Sequence, residues 1–311
     1  MPFVEHDPWR TQFFDGISCP RGVVIPTDDG DCWLLYPRLR HLHNKLFIAI
    51  SQGLAAAPHG VPPPRYPVFS KPIYNLKGMG KGSRILRSAA ELRHHQAPGH
   101  MWTRLLEGQH ISSDVALARG KPVWWRHTKG KPGRGGTFDH WTVEAARRPK
   151  LEAYCGAWLR REMAGFSGVV NLETIGGRII EIHLRMSDQW PDLYGEGWVE
   201  SLVPLYRDGR WNFADWNRRT GYSVVLFGPH GRRYRPIDRD LVAELATKTG
   251  ISSIQISFHE DRSPEAHSMP PGGFRLAIVN CASLDAGRAV RARLARAFKA
   301  LAKFPRASAR R

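Results

Sequence analysis

Glu173 and Glu181 lie in the stretch VVNLETIGGRIIEIHLR, residues 169–185, where apolar and polar residues alternate on both sides of a Gly-Gly pair. Such alternation marks a β-hairpin, and its register decides which side chains share a face. A three-residue loop of Gly176, Gly177 and Arg178 sets Glu173 opposite Glu181, Asn171 opposite His183 and Val169 opposite Arg185. Leu172, Ile180, Ile182 and Leu184 then share the buried face. A two-residue Gly-Gly turn would put Glu173 opposite Ile180 and split the carboxylates, so the three-residue loop is the expectation. Two opposed carboxylates repel each other, and a cation belongs between them. A hard divalent ion with oxygen ligands, bound partly through substrate phosphates, would serve; so would Arg185 or Lys71 without metal.

A second stretch with chemical potential is PVFSKPIYNLKGMGKGS, residues 67–83. A short strand carries Lys71, and a loop with Gly78, Gly80 and Gly82 follows. A lysine supplies a compact cation, and glycines let backbone N–H groups approach a phosphate. The bland alternative is a solvated turn. It is not a Walker loop, because the lysine precedes the glycines and no GK[ST] opens a helix.

The elements around these stretches can be placed coarsely. Residues 1–40 are rich in Pro, Gly and Asp, with strands expected at 22–26 and 32–36. NKLFIAISQGL, residues 44–54, has helical spacing, with Asn44 as N-cap and Gly53 near the end. PHGVPPPRYP is a stiff connector. PVFSKPI, MWTRLL, SSDVALA and KPVWWRH read as strands, with a helix at 84–95 and a mobile basic loop at 129–136. A helix is expected over 150–163. Residues 222–300 carry strands at SVVLF, SIQISF and FRLAIVN and a closing helix, which suggests a small α+β subdomain. In that helix Leu284, Val290, Leu294, Phe298 and Leu301 make an apolar stripe among arginines, read as a domain cap rather than an RNA- or membrane-binding face. PRASARR reads as a frayed tail. Trp124 and Trp125 beside Arg126 and His127 admit three readings: core, recognition of an anionic substrate, or a stacking platform for nucleic acid.

The chain has 311 residues, a 42% hydrophobic share and a formal charge of +18. That length holds two or three subdomains and a buried core, and that charge attracts polyanions without choosing among them. Cys19, Cys32, Cys155 and Cys281 form no CxxC pair, as expected of free thiols in a reducing cytoplasm. MPFVEHDPWR lacks the basic start and apolar core of a secretory signal, and no apolar run approaches the roughly 20 residues of a membrane span. Ser167 in GFSG is not a nucleophile elbow, and no zinc-ligand spacing is present.

The order of these pieces resembles the ATP-grasp superfamily over residues 44–186. The resemblance implies an α+β fold of two lobes clamping a nucleotide: a short N-terminal segment with lead-in helix (1–65), a first lobe (66–105), a second lobe with the metal hairpin (106–220) and the C-terminal subdomain (221–311). Lys45 in NKLFIA resembles the phosphate-binding residue opening the lead-in helix. Lys71 resembles the strand lysine on the phosphates, and Gly78, Gly80, Gly82 and Ser83 the loop closing over them. In MWTRLLEGQHISSDVALARGKPV, Thr103, Arg104 and Leu106 fall at the adenine edge, and His110 stands where an acid commonly binds the ribose. NLETIGGRIIEIHLR resembles the metal hairpin. Glu173 and Glu181 take the places of the acids bridging Mg²⁺, His183 replaces an asparagine and suits Mn²⁺, and Arg185 matches the arginine facing the γ-phosphate and acceptor. The implied activity is ATP-dependent ligation through an acyl phosphate, with ATP, Mg²⁺ or Mn²⁺, a small-molecule carboxylate and an amine acceptor, and Lys71 and Arg185 as catalytic groups. A protein partner or homodimer is left open. The other readings are a non-catalytic nucleotide-binding partner protein and, last, a basic nucleic-acid-binding protein.

Overall fold

The computed structural model describes residues 2–18, 20–76, 80, 82–259, 262, 270 and 272–301. Near the N-terminus β1 (Phe3–Val4) pairs in parallel with β2 (Ile25–Pro26). The expected second strand is instead helix α1 (Asp29–Leu35), because the Asp28 side chain accepts the Asp31 backbone N–H and caps it. A cap that satisfies an orphan donor outweighs the strand propensity of a short apolar run. Helix α2 (Lys45–Ser51) starts as expected, with Asn44 Oδ1 accepting from the Leu46 and Phe47 amides.

The first lobe is a sheet ordered β3-β6-β4-β5 from β3 (Ala56–Pro58), β4 (Val68–Pro72), β5 (Arg84–Leu86) and β6 (His100–Arg104). The helix expected at 84–95 is thus shorter. Its first residues pair with β4 as β5, and Ser88 caps α3 (Ala89–His94). Strand β3 belongs to this sheet although it lies within the segment assigned to the N-terminal lead-in.

The second sheet, among the described residues, runs β11-β10-β7-β8-β9-β12-β14-β13. It is built from β7 (His110–Ala118), β8 (Lys121–Pro132), β9 (Phe138–Val143), β10 (Gly168–Ile175), β11 (Arg178–His183), β12 (Gly221–Gly228), β13 (Ile251–Ile256) and β14 (Phe274–Cys281). Strand β12 pairs with β9, so the C-terminal strands continue this sheet across the expected boundary at 220/221. Strand β8 extends through Pro132 into the stretch read as a mobile loop.

Helix α4 (Pro149–Glu162) packs Cys155, Trp158 and Leu159 with Leu172, Ile182 and Leu184 beneath the hairpin. Helix α5 (Trp198–Asp208) and the Trp124 ring lie in a second cluster with Trp190 and Tyr194. Trp124 and Trp125 are both buried, which makes them core residues rather than a stacking platform. Helix α6 (Arg239–Ala246) and helix α7 (Leu284–Ala297) cover β12–β14, with Val290, Leu294 and Phe298 facing inward, as read for a capping helix. Cys32, Cys155 and Cys281 are buried free thiols. Among the described residues no helix is long and apolar enough to cross a membrane.

Candidate active site

The hairpin sets Glu173 opposite Glu181 and Asn171 opposite His183, as alternation predicts. The turn is not the expected one. Thr174 pairs with Ile179 and Ile175 with Arg178, leaving a two-residue turn of Gly176 and Gly177 with φ of 56° and 77°. Positive φ at both central residues is the geometry glycine favours in tight hairpins. The register shifts between Glu173 and Thr174, so Ile180 is an extra residue on β11, a β-bulge. The bulge reconciles the short turn with the opposed acids. It also puts Ile179 rather than Ile180 in the core beneath the hairpin. Arg185 lies past the end of β11, so the expected pairing with Val169 is not formed within the strand.

The lysines of the lead-in helix and first lobe reach this hairpin. Lys45 at the first turn of α2 is buried, with Nζ 2.6 Å from Glu181 Oε1. Lys71 on β4 is buried too, and its Nζ donates to the Ile180 carbonyl at 2.9 Å. Burial pushes the Lys71 ammonium down to about 8, against the pull of Glu181 and Glu173. His110 Nε2 lies 3.1 Å from Glu173 Oε2. Burial disfavours the charge on His110, but the Glu173 hydrogen bond and charge outweigh it and raise its pKa.

His183 is buried between the acids, with Nε2 3.9 Å from Glu173 Oε1 and 4.0 Å from Glu181 Oε1. Its Nδ1 meets Asp29 Oδ2 at 2.7 Å. Burial opposes protonation, yet the Asp29 charge, with hydrogen bonds to Asp29 and Glu173, raises the imidazole pKa to about 10. Glu173 is held well below the usual carboxylate range, because His110 and His183 outweigh its burial. Asp29 is likewise lowered, its burial outweighed by Arg185 and His183. Arg185 Nη2 stands 3.3 Å from Asp29 Oδ2, and its Nη1 donates to the Met186 carbonyl. Asn171 is spent structurally, its amide donating to Asp114 and Ser112.

Two further predicted groups sit apart from this cluster. Thr103 and Arg104 end β6, where Arg104 N–H donates to the Ala55 carbonyl at 2.9 Å and so is not available to a base edge there. Leu106 follows in the connection to β7. In the glycine loop Ser83 N–H closes a turn onto the Gly80 carbonyl, with Gly80 and Gly82 at positive φ. Gly78 lies outside the described residues.

No family model matches the sequence, and no curated protein matches it at a significant level. Solved structures do match. An L-amino acid ligase from Bacillus licheniformis superposes with a TM-score of 0.56 at 12% identity, over 85% of this chain and 73% of that one. A phosphoribosylamine–glycine ligase from Thermotoga maritima gives 0.55 at 15%, over 85% and 78%. A carboxyaminoimidazole ribonucleotide synthase from Aspergillus clavatus, solved with ATP, gives 0.54 at 12%, over 83% and 73%.

The chain has the ATP-grasp fold. The likeness covers 85% of this chain, well beyond the span of residues 44–186. Within the ATP-grasp frame the cluster of Lys45, Lys71, His110, Glu173, Glu181 and His183 faces inward between the first-lobe sheet and the hairpin edge of the second. Sequence reasoning missed Asp29. Its signal was a buried acid at a helix start, hidden by the reading of residues 32–36 as a strand.

The donor set can be tested against a divalent ion. His183 donates through Nδ1–H to Asp29, the arrangement that fixes an imidazole's tautomer and presents Nε2 to a metal. The two acids flank that Nε2 at distances spanned by two metal–ligand bonds of about 2.1 Å each. Glu173, Glu181 and His183 do not all bring donor atoms within 4.8 Å of one another, whereas the surface group His6, Asp28 and Asp31 does. The residues fit an ion once Glu173 turns from His110 and Glu181 from Lys45; as placed here, the imidazolium itself separates the acids.

Proposed function

We propose that this chain is an ATP-dependent ligase that activates a small carboxylate as an acyl phosphate for attack by an amine. The observation that carries the reading is the convergence of Lys45 and Lys71 on the strand bearing Glu181, opposite Glu173. Cations from the lead-in helix and first lobe thus meet acids from the second lobe, as a triphosphate bound between lobes requires. Lys45 and Lys71 would exchange Glu181 and the Ile180 carbonyl for phosphate oxygens, with N–H groups offered by Gly80 and Gly82 and the hydroxyl by Ser83. Gly78 belongs to the same proposal. Backbone groups of Thr103, Arg104 and Leu106 would border the adenine, and His110 would meet the ribose once released from Glu173. Glu173, Glu181 and His183 would hold Mg²⁺ or Mn²⁺, which when bound neutralises phosphate charge.

In the first step a substrate carboxylate oxygen bonds to the γ-phosphorus and ADP leaves. Arg185, fixed by Asp29, would stabilise the charge spreading onto the transferring oxygens. The amine then bonds to the acyl carbon, loses a proton and expels inorganic phosphate. The neighbour solved with ATP, and others solved with ADP or its magnesium salt, support nucleotide use here.

A second reading is a nucleotide-binding partner protein without catalysis, favoured by the His183 imidazolium standing where a metal would sit. Calorimetric titration of ATP with Mg²⁺ or Mn²⁺ into wild type and the Glu173→Ala/Glu181→Ala protein tests both. Metal-dependent binding lost in the double variant supports the nucleotide site. Phosphate release with a carboxylate and an amine then supports the ligase, whereas tight binding with no release under any substrate set supports the partner protein. Absence of ATP binding with either metal overturns both.

A further inference from the structure

Beyond Arg185 the chain builds a second polar chamber. Its walls come from three distant parts of the sequence: the N-terminal turn, the segment after the hairpin, and strands β13 and β14. The cavity is about 140 Å³, room for four or five waters at roughly 30 Å³ each. Asp7, Arg10, Asp188, Gln189, Gln255 and Arg275 line it, and Ser257, His259, Arg262 and Ile278 complete the lining.

Its charged groups are held in place before any ligand enters. Arg10 lies against Asp188, Glu5 and Asp7. Arg275 Nη1 donates to Gln189 Oε1 at 3.1 Å. Gln189 is itself anchored, its Nε2 donating to Ser223 Oγ at 3.0 Å and its backbone carbonyl accepting from Gln255 and Asn280. His259 Nε2 meets Asp7 Oδ2 at 3.2 Å. Pre-fixed side chains lose little freedom on binding, and guanidinium forks recognise carboxylates.

The chamber adjoins the segment that carries Arg185. Asp188, three residues after Arg185, lines it and pairs with Arg10. Arg185 Nε is buried with no hydrogen-bond partner among the described residues. A substrate seated here would lie beside the segment that carries the arginine proposed to face the transferring phosphoryl group.

We propose that this chamber is the acceptor-side subsite of the ligase and takes a compact, polar α-amino acid. The assignment rests on the ligase reading for its role in catalysis. The ligand class rests on the chamber itself. Arginines and aspartates both line it, matching a carboxylate and an ammonium, and the walls are polar apart from Ile278. Its volume of about 140 Å³ favours a short side chain over a long or aromatic one.

The test is calorimetric titration of glycine, L-alanine, L-serine and L-aspartate, with acetate, ethanolamine and L-tryptophan as controls. Each is titrated with and without Mn²⁺ and a non-hydrolysable ATP analogue, and the analogue is titrated separately. Wild type is compared with Arg275→Gln and with Ser257→Leu, which fills the cavity while leaving the Arg275–Gln189 bond. Expected is binding of at least one small amino acid, stronger than that of any control, weakened at least tenfold by both variants, while analogue affinity stays within twofold. Analogue binding without any amino acid binding, or amino acid binding unchanged by both variants, overturns the subsite and leaves the ligase reading standing. Amino acid binding that both variants weaken, in a protein that does not bind the analogue, keeps the ligand class and removes the ligase role.

Discussion

Asp29 Oδ2 holds His183 Nδ1 at 2.7 Å across 154 residues of sequence. One acid at the first turn of a helix thereby keeps a buried imidazolium between two glutamates on a hairpin. The pair has a pH consequence. His183 has its pKa raised to about 10 in the folded chain, against about 6.5 unfolded. Its stabilisation is therefore fully present below pH ~6.5 and is lost as pH rises through about 10. Lys71 acts oppositely. Its pKa falls to about 8 from about 10.5, so stability returns between those values. Chemical denaturation of nucleotide-free protein in chelator should show stability falling between pH ~6.5 and 8, with the fall reduced by His183→Gln, which leaves the part due to the raised His110, and reduced also by Asp29→Asn. An unchanged slope in His183→Gln would place the titrating group elsewhere.

Lys71 is desolvated for a single carbonyl contact with the bulge at Ile180. A buried ammonium with so small a return contributes little to folding. Lys71→Met should therefore leave the melting temperature within about 2 °C of wild type, a change of roughly 1 kcal/mol or less. Affinity for ATP should drop tenfold or more in the same protein. A variant that loses stability but binds ATP normally would make Lys71 a structural residue.

The imidazole at position 183 bears on metal choice. Nitrogen ligands favour Mn²⁺ over Mg²⁺, and Asp29 already orients the ring for ligation. Mn²⁺ with ADP should bind wild type at least tenfold more tightly than Mg²⁺ with ADP, and His183→Asn should narrow that ratio. Paramagnetic resonance of the Mn²⁺ complex should show a nitrogen coupling that the variant loses. No nitrogen coupling in wild type would exclude His183 as a ligand.

The two turn glycines differ in their surroundings. A Cβ on Gly176 would lie 2.2 Å from the Glu107 carbonyl oxygen, whereas one on Gly177 would meet nothing within 4 Å. Both have positive φ, which costs an alanine about 1 kcal/mol. Gly177→Ala should cost about that amount. Gly176→Ala should cost more, roughly 2–4 kcal/mol, since backbone must shift, and should weaken metal-dependent nucleotide binding by loosening the hairpin. Urea melts of the two variants compare them directly, and equal losses would mean that Glu107 moves freely.

Much of the site is legible in local chemistry. The alternation through residues 169–185 sets Glu173 against Glu181, and Asn44 caps the helix that begins with Lys45, because side-chain period and capping act over a few residues. Tertiary structure decided the rest. The bulge at Ile180 exists because a Gly-Gly turn and a continuous apolar face demand registers one residue apart, and only the packed sheet shows which yields. Helix α1 brings Asp29 to His183, and β12 extends the second sheet by pairing with β9, through contacts between segments far apart in the chain. Such pairings depend on the packing of whole elements and leave no mark in the spacing of neighbouring residues. The alternation of the hairpin therefore predicts that a cation belongs between the two acids, and only the folded chain shows that His183, oriented by Asp29, lies within 4.0 Å of both.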